Sequence, residues 1–289
     1  MSGPEGLLVV DKPSGRTSHD VVARVRRLAG TRRVGHAGTL DPLATGVLVV
    51  GLGRATRLLG HLALHDKDYD AGITLGVTTR TDDAEGEVLA RSDAPWTVEG
   101  ARAAMASLTG EISQAPPAYS AIKIDGRRAY ARARAGEDVT PPARTVTVSR
   151  FELVAADGPA LTAAVTCSSG TYVRALARDL GAALGTGGHL SALRRTRVGA
   201  YGLDRAHTLD ELEVADPLPL IPLNEAVAAG FPRRDATADE ATALSYGRPL
   251  SPRGEPGPVG VFGPDGAVLA LVADSDGRAR PLVVFAPAG

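Results

Sequence analysis

The sequence predicts an α+β protein, with a mixed sheet flanked by helices and a small β-rich module at the C-terminal end. The predicted strands are clustered along the chain and lack the regular strand–helix alternation that a doubly wound parallel sheet requires. Three prolines in residues 216–222 mark a boundary, and beyond it short apolar runs are separated by Asp-Gly turns. We therefore expect two domains, residues 1–222 and residues 223–289.

In the first half of the chain, apolar periodicity and capping residues define the elements. Thr17 or Ser18 can cap the first helix, which Gly30 closes, and Thr97 can cap a later one. A glycine-rich loop is expected at 35–42. The predicted strands are 6–10, 46–51 and 69–78, and the predicted helices are 17–28, 55–64 and 97–108.

The second half continues with β-rich and helical segments. Strand 118–124 is followed by an Asp-Gly turn and a basic helix at 127–135. Strands 144–155 and 160–167 pair across Asp157-Gly158, and Gly185 stops a helix over 172–184. The prolines of 216–222 suit an extended linker. The small module contributes strands at 259–262, 268–272 and 282–285.

Composition excludes several classes of protein. The chain is 44% hydrophobic and 22% charged, as in ordinary globular proteins. No apolar run approaches the roughly 20 residues needed to cross a bilayer, and no basic segment precedes the first apolar run as in a signal peptide. The single cysteine, Cys167, excludes an intramolecular disulfide and a multi-cysteine zinc site. We expect a soluble cytoplasmic protein, and a monomer because no apolar stripe stands out.

Charge is segregated along the chain although the formal net charge is only −1. From Lys12 to Arg57 there are nine basic residues against two acids, and residues 123–150 are also basic. This predicts a basic face that could follow a phosphate backbone; solvated helix faces are the alternative. Only three of the 32 basic residues are lysines. Either these three positions need the compact ammonium group of lysine, or the lysines have survived there by chance.

The richest segment is the glycine-rich loop that contains Asp41. Its glycines permit a close approach to a ligand, and Pro42 biases Asp41 toward an extended backbone that projects its carboxylate. Such a carboxylate can act as a nucleophile or general base. From the residues alone, an Asp-Pro turn whose side chain caps local amides is the simpler interpretation.

Four further segments accompany this loop in a fixed order. The five segments are LVVDKPSG at 8–15, GHAGTLDPLATGVL at 35–48, DKDY at 66–69, PAYSAIK at 117–123 and CSSGTYVR at 167–174. Together they resemble the signature of the bacterial tRNA pseudouridine synthase B (TruB) family, over residues 6–205. The resemblance implies a pseudouridine-synthase-like fold that isomerises uridine 55, in the TΨC loop of tRNA, to pseudouridine. It also implies a PUA-like, RNA-binding C-terminal domain, although this module is short and less recognisable.

The resemblance also assigns roles to individual residues. Asp41 matches the essential aspartate, Arg174 the arginine that pairs with it, and Tyr69 a tyrosine against the flipped base that assists proton removal from carbon 5. The implied substrate-binding residues are His36, which enters the RNA, Tyr172 and Leu193 at the base pocket, and Lys12 and Lys123. No cofactor and no metal are expected because the isomerisation involves no net redox change. The implied partner is the TΨC stem-loop of tRNA, whose base must be extruded.

Three questions stay open at the level of sequence. Asp41 can attack the sugar, add to the base, or remove a sugar proton, and all three routes begin from the ionised acid. An RNA-binding or tRNA-folding module without catalysis is a second interpretation. A nucleoside-processing hydrolase is a third, and it requires a second acid, for which Asp68 and Asp179 are the candidates.

Overall fold

A computed structural model describes residues 3–119 and 141–287, together with the backbone of 123–124 and 127–128. Nine strands form one large mixed sheet, in the order β1-β3-β12-β4-β11-β10-β7, with β2 beside β3 and β13 beside β12. Strands β3 and β12 run parallel, and the other neighbours in this sheet are antiparallel. The strands are β1 (Gly6–Lys12), β2 (Val34–Ala37), β3 (Thr45–Leu52), β4 (Lys67–Leu75), β5 (Val77–Thr79), β6 (Val88–Arg91), β7 (Gly110–Gln114), β8 (Lys123–Ile124), β9 (Arg127–Arg128), β10 (Arg144–Asp157), β11 (Ala160–Cys167), β12 (Gly188–Val198), β13 (Tyr201–Gly202), β14 (Arg233–Asp235), β15 (Val259–Phe262), β16 (Val268–Ser275) and β17 (Arg278–Val284).

Helices cover the large sheet through separate hydrophobic clusters. The helices are α1 (Ser18–Leu28), α2 (Leu59–Leu62), α3 (Val98–Ser107), α4 (Val173–Ala183), α5 (Leu209–Val214), α6 (Leu223–Gly230) and α7 (Ala238–Ser245). Thr17 begins α1 in a capping box with Asp20, which satisfies backbone groups that a helix terminus leaves unpaired. Apolar residues of α1 pack on β1 and β3, whereas α3 and α4 pack on β4, β10 and β11. The α+β class and the mixed sheet are confirmed.

The small C-terminal sheet has the order β14-β15-β16-β17 and its own cluster beneath α7. It also shares a core with the large sheet, since Phe262 and Phe285 belong to the same buried cluster as Leu7 and Val47. Helix α6 contributes to this cluster. The division at residue 222 therefore remains a prediction, because α6 joins the core that both sheets share.

Several sequence-based assignments were wrong. The segment 216–222 is not a free linker, since Ile221 exchanges two backbone hydrogen bonds with Leu7, of 2.9 and 2.7 Å. The glycine-rich loop begins inside strand β2, and much of the predicted helix 55–64 is 3-10 helix, over Gly53–Leu58. Of the predicted basic helix at 127–135, Arg127 and Arg128 instead form a strand paired with β8, and the prediction for 129–135 lies outside the described residues.

The central strand β12 was not predicted at all. Its pairing with β4 has register shifts between Leu190 and Ala192 and between Arg195 and Arg197. Each shift inserts a residue and breaks the two-residue alternation by which a strand is recognised. In the described parts of the chain, no helix is long and apolar enough to cross a membrane.

Strand β12 approaches β3 so closely that only glycine fits at position 46. Gly46 has a φ of +96°, and a Cβ there would lie 2.2 Å from the carbonyl oxygen of Arg195. Gly30 also has a positive φ, +60°, but a Cβ added there would have no heavy atom within 4 Å.

We expect Gly30→Ala to lower the free energy of unfolding by about 1–2 kcal/mol, the conformational cost alone. Gly46→Ala should cost more than about 4 kcal/mol, because the two strands must also separate. Denaturant unfolding of both variants measures the difference. Equal losses would contradict the close approach of the two strands.

Candidate active site

The loop between β2 and β3 is held at several backbone positions around Asp41. The hydroxyl of Ser18, at the start of α1, donates to the carbonyl of Leu40 (3.1 Å) and accepts from its amide (2.9 Å). The carbonyl of Pro42 accepts from the amide of Gly15 (2.9 Å) and from the ammonium of Lys12 (3.2 Å). The backbone is thus fixed on both sides of Asp41. Sequence reasoning treated Ser18 only as a possible helix cap and missed this role.

The Asp41 carboxylate lies against the guanidinium of Arg174, on the first turn of α4. Nε of Arg174 is 3.0 Å from Oδ2, and Nη2 donates to Oδ1 at 3.4 Å. The Nε–H is not aligned for a hydrogen bond to Oδ2, so that contact is an ion pair. The Asp41 side chain is 37% exposed and that of Arg174 only 6%. The carboxylate therefore opens to solvent while its positive partner is buried.

Arg174 is held from behind by a second acid, Asp83, which sequence reasoning missed. Nη1 of Arg174 lies 3.4 Å from Oδ2 of Asp83 and donates to the carbonyl of Thr81 at 2.8 Å. Nη2 also donates to the carbonyl of Tyr119, at 3.1 Å. Asp83 is buried, and its Oδ1 accepts from the Thr81 hydroxyl and from the Glu85 amide. The signal available in the sequence was the acid-rich turn Thr-Asp-Asp-Ala-Glu-Gly at 81–86. It was not connected with the site because it lies far from Asp41 along the chain.

Tyr69 and Leu193 form the apolar side of the site. Tyr69 is buried on β4 and Leu193 is buried on β12, and both belong to one hydrophobic cluster with Leu40 of the Asp41 loop. Burial raises the pKa of the Tyr69 hydroxyl, with the nearby Asp41 charge acting in the same direction. The structure thus brings together Asp41, Arg174, Tyr69 and Leu193.

The two lysines with described side chains are both buried. Lys12 donates to the carbonyls of Pro13 (2.9 Å), Arg16 (2.6 Å) and Pro42 (3.2 Å). Lys67 donates to two carbonyls, at 2.9 and 2.6 Å. Burial lowers the pKa of each lysine to about 8. Lys12 is therefore tied to the loop backbone, and the side chain of Lys123 lies outside the described residues.

His36 lies on β2, five residues before Asp41, with its ring in edge contact with that of His19 at 5.6 Å between centroids. Its Nδ1 is buried without a hydrogen-bond partner among the described residues. Burial lowers the pKa of His36, assisted by the nearby charges of His19 and Arg195. His36 is therefore a half-buried ring whose pKa lies below its usual value.

Tyr172 immediately precedes α4, the helix that carries Arg174. Its amide donates to Oε1 of Gln114 (2.8 Å), whose Nε2 donates back to the Tyr172 carbonyl (3.2 Å). The guanidinium of Arg144 lies 5.0 Å from the centre of the Tyr172 ring, which is a cation–π distance. The backbone of Tyr172 is thus clamped, and its ring is covered by Arg144.

The predicted basic face is narrower than the sequence suggested. Among the basic residues of 12–57, several are used within the protein: Arg24 pairs with Glu213, Arg54 with Glu5, and Arg26 and Arg57 donate to backbone carbonyls. Four exposed arginines form no ion pair with any described residue: Arg16, Arg27, Arg32 and Arg33. A groove of about 770 Å³ between α1 and α5 includes Arg16 and Arg27 and reaches Lys12.

Three family models match consecutive parts of the chain. The TruB family pseudouridylate synthase (N terminal domain) matches residues 26–173. The tRNA pseudouridylate synthase B C-terminal domain matches residues 174–217, and the tRNA Pseudouridine synthase II, C terminal, matches residues 231–286. Together they cover most of the large sheet and the small C-terminal sheet.

Full-length relatives and solved structures agree with these matches. Proteins named tRNA pseudouridine synthase B are 60% identical in Thermobifida fusca, covering 98% of this chain and 99% of the relative, and 57% identical in Streptomyces griseus, covering 98% of each. A chain in a Cbf5-Nop10-Gar1 complex superposes with a TM-score of 0.76 at 26% identity, covering 98% of this chain and 85% of that one. A chain in an H/ACA RNP bound to a substrate RNA containing 2'-deoxyuridine superposes with a TM-score of 0.73 at 25% identity, with the same coverage. The chain therefore belongs to the TruB family of pseudouridylate synthases and is an isomerase.

Proposed function

We propose that the chain converts uridine 55, in the TΨC loop of tRNA, to pseudouridine, with Asp41 as the catalytic carboxylate. Pseudouridylation of tRNA follows from the family and from the relatives named tRNA pseudouridine synthase B. The position in tRNA and the role of Asp41 are the parts proposed here. The single observation that carries the role is the partly exposed Asp41 carboxylate paired with the buried Arg174 guanidinium.

The chemistry requires an anionic oxygen at the sugar or the base. Uracil must leave C1′ of the ribose, turn, and reattach through carbon 5, whose proton is then lost. The Arg174 guanidinium contacts the Asp41 carboxylate and fixes its position. The carboxylate is thus placed to act as a nucleophile or base, whichever of the three routes it takes.

We propose that Tyr69 and Leu193 receive the flipped base. A planar aromatic side chain can stack on a base and offset part of the cost of extruding it, by about 1–3 kcal/mol. Tyr69 also carries a hydroxyl and packs in one cluster with Leu40, the residue before Asp41, which suits a role in removing the proton from carbon 5. His36, Tyr172 and Lys123 complete the proposed RNA-binding set, and Lys12 supports the loop.

The remaining parts of the proposal concern the partner. The four exposed arginines near α1 and β2, which form no ion pair with any described residue, suit contacts to the phosphates of a tRNA stem-loop. The C-terminal sheet is proposed to contribute further RNA contacts. We propose a monomer that acts in the cytoplasm.

The role of Asp41 can be tested with a tRNA transcript that carries tritium at carbon 5 of its uridines. The wild-type protein should release tritium while the RNA chain stays intact, because the carbon 5 proton is replaced by the new glycosidic bond. Asp41→Asn should lower the release rate by at least about 1,000-fold, since the neutral amide is a poor nucleophile and base. Its Kd for tRNA should change by less than about threefold.

Two outcomes would contradict this part of the proposal. Equal tritium release by Asp41→Asn would remove Asp41 from the chemistry. If the wild type binds tRNA and releases no tritium, the non-catalytic RNA-binding alternative is correct.

The position can be tested separately with a transcript in which uridine 55 is replaced by cytidine. We expect tritium release to fall to background, because the extruded base is then the wrong one for the pocket. A transcript with a uridine changed in the anticodon stem is the matched control and should behave as the parent apart from its lost label. Undiminished release from the cytidine-55 transcript would move the site elsewhere in the tRNA.

Asp83 should matter because it holds Arg174 in place. Asp83→Asn removes the second negative partner of a buried guanidinium, and we expect kcat to fall by about 10- to 100-fold with KM little changed. Asp82→Asn is the matched control, since Asp82 pairs with Arg178 instead and asparagine tolerates its positive φ of 60°. The kcat of the Asp82→Asn variant should fall by less than about threefold. Equal losses in both variants would show that Asp83 acts only through the fold of the turn.

A further inference from the structure

Arg195 occupies the centre of the large sheet, directly behind the proposed active site. On strand β12 it is flanked by Gly46 of β3 on one side and by Tyr69 of β4 on the other. It is only 1% exposed. Arginine is almost never fully buried unless it is paired, so its place in a central strand requires an explanation.

The guanidinium of Arg195 is bonded to the backbone that leads into the Asp41 loop. Its Nη2 donates to the carbonyl of Gly38 at 2.9 Å, and its Nε donates to the carbonyl of Val47 at 2.7 Å. A Cβ on Gly38 would lie 3.5 Å from Nη1, so the turn rests directly on the guanidinium. Arg195 therefore anchors the chain three residues before Asp41.

The charge of Arg195 is not neutralised by a carboxylate among the described residues. Carbonyl dipoles solvate it instead, and its field reaches the neighbouring groups. Burial is the main cause of the lowered pKa values of His36, Lys12 and Lys67, and the positive charge of Arg195 lowers each of them further. It is thus a fixed positive charge inside the site.

Arg195 also lies directly opposite Tyr69, its cross-strand partner on β4. Burial raises the pKa of this phenol, and the positive charge of Arg195 opposes that effect. Arg195 therefore bonds to the backbone of the Asp41 loop and lies beside Tyr69.

We propose that Arg195 is a positioning residue for the reaction, which fixes the Tyr69 hydroxyl relative to Asp41 and stabilises negative charge that develops on the phenol oxygen. This inference rests on the proposed function, in which Tyr69 assists removal of the carbon 5 proton. Arg195 touches neither the base nor the sugar, and it acts through Tyr69 and the Gly38 carbonyl.

A double-mutant cycle under single-turnover conditions with tritiated tRNA tests the coupling. We expect Arg195→Met to lower the rate of tritium release by at least about 30-fold in the wild-type background. In a Tyr69→Phe background, which lacks the hydroxyl, it should lower the rate by a much smaller factor, about threefold, because only its bond to the Gly38 carbonyl is then left to lose. Arg195→Lys should recover part of the loss by keeping the charge.

A second readout follows the electrostatic field without any reaction. Arg195→Met should raise the midpoint of the His36 NMR titration, since a positive neighbour is removed. Arg234→Met is the control for loss of a buried guanidinium, because Arg234 is also buried but bonds to Ser251 and Glu240 in the small sheet. It should lower the thermal unfolding temperature and leave both the His36 midpoint and the single-turnover rate at saturating tRNA unchanged.

The outcomes separate this inference from the proposed function. Losses of equal factor in the wild-type and Tyr69→Phe backgrounds would overturn the coupling while leaving the isomerase intact. An unchanged His36 midpoint in a folded Arg195→Met variant would overturn the electrostatic part. Absence of tritium release by the wild type would instead refute the proposed function itself.

Discussion

The buried guanidinium of Arg174 is the group on which the arrangement of the site depends. It ties α4 to the Asp41 loop and to the turn that carries Asp83. Removing one partner of a buried ion pair typically costs about 3–5 kcal/mol, so both acids are needed to keep it in place. Two carboxylates share this one positive charge, and they differ in exposure. Asp83 is buried and further satisfied by Thr81 and Glu85, which leaves Asp41 as the acid of this pair that opens to solvent.

Two buried lysines lie beneath the same site, and their ammonium groups donate to backbone carbonyls instead of carboxylates. Lys12 donates to three carbonyls and Lys67 to two, in a chain that uses arginine almost everywhere else. Converging carbonyls suit a compact ammonium with three rotatable donors, whereas the planar guanidinium of arginine presents its donors in a fixed fork. This explains why lysine is retained at these two positions. It also places two cations beneath the loop that carries Asp41.

The sequence predicted correctly those elements whose formation depends on short-range interactions. The Thr17 cap, the β10–β11 hairpin and helix α4 were predicted nearly to the residue because capping and turn chemistry are short-range. Strand β12 was missed because its register shifts erase the alternation and its arginines resemble a surface segment. Asp41, Tyr69 and Arg174 were identified as site residues from the five ordered motifs that resemble the family, not from the spacing of residues along an element. Asp83 and Arg195 are visible only once the sheet brings distant segments together.

The geometry of the acids also bears on the competing interpretations. A hydrolase of the carboxylate-pair type needs a second acid that is free to activate water. Both carboxylate oxygens of Asp68 accept hydrogen bonds from the guanidinium of Arg197. Asp179 accepts a hydrogen bond from its neighbour Arg178. Asp83 is buried behind Arg174. Asp41 is a partly exposed acid held against a buried guanidinium, near the apolar side chains of Tyr69 and Leu193. This placement is the one that the proposed role of Asp41 in the isomerisation requires.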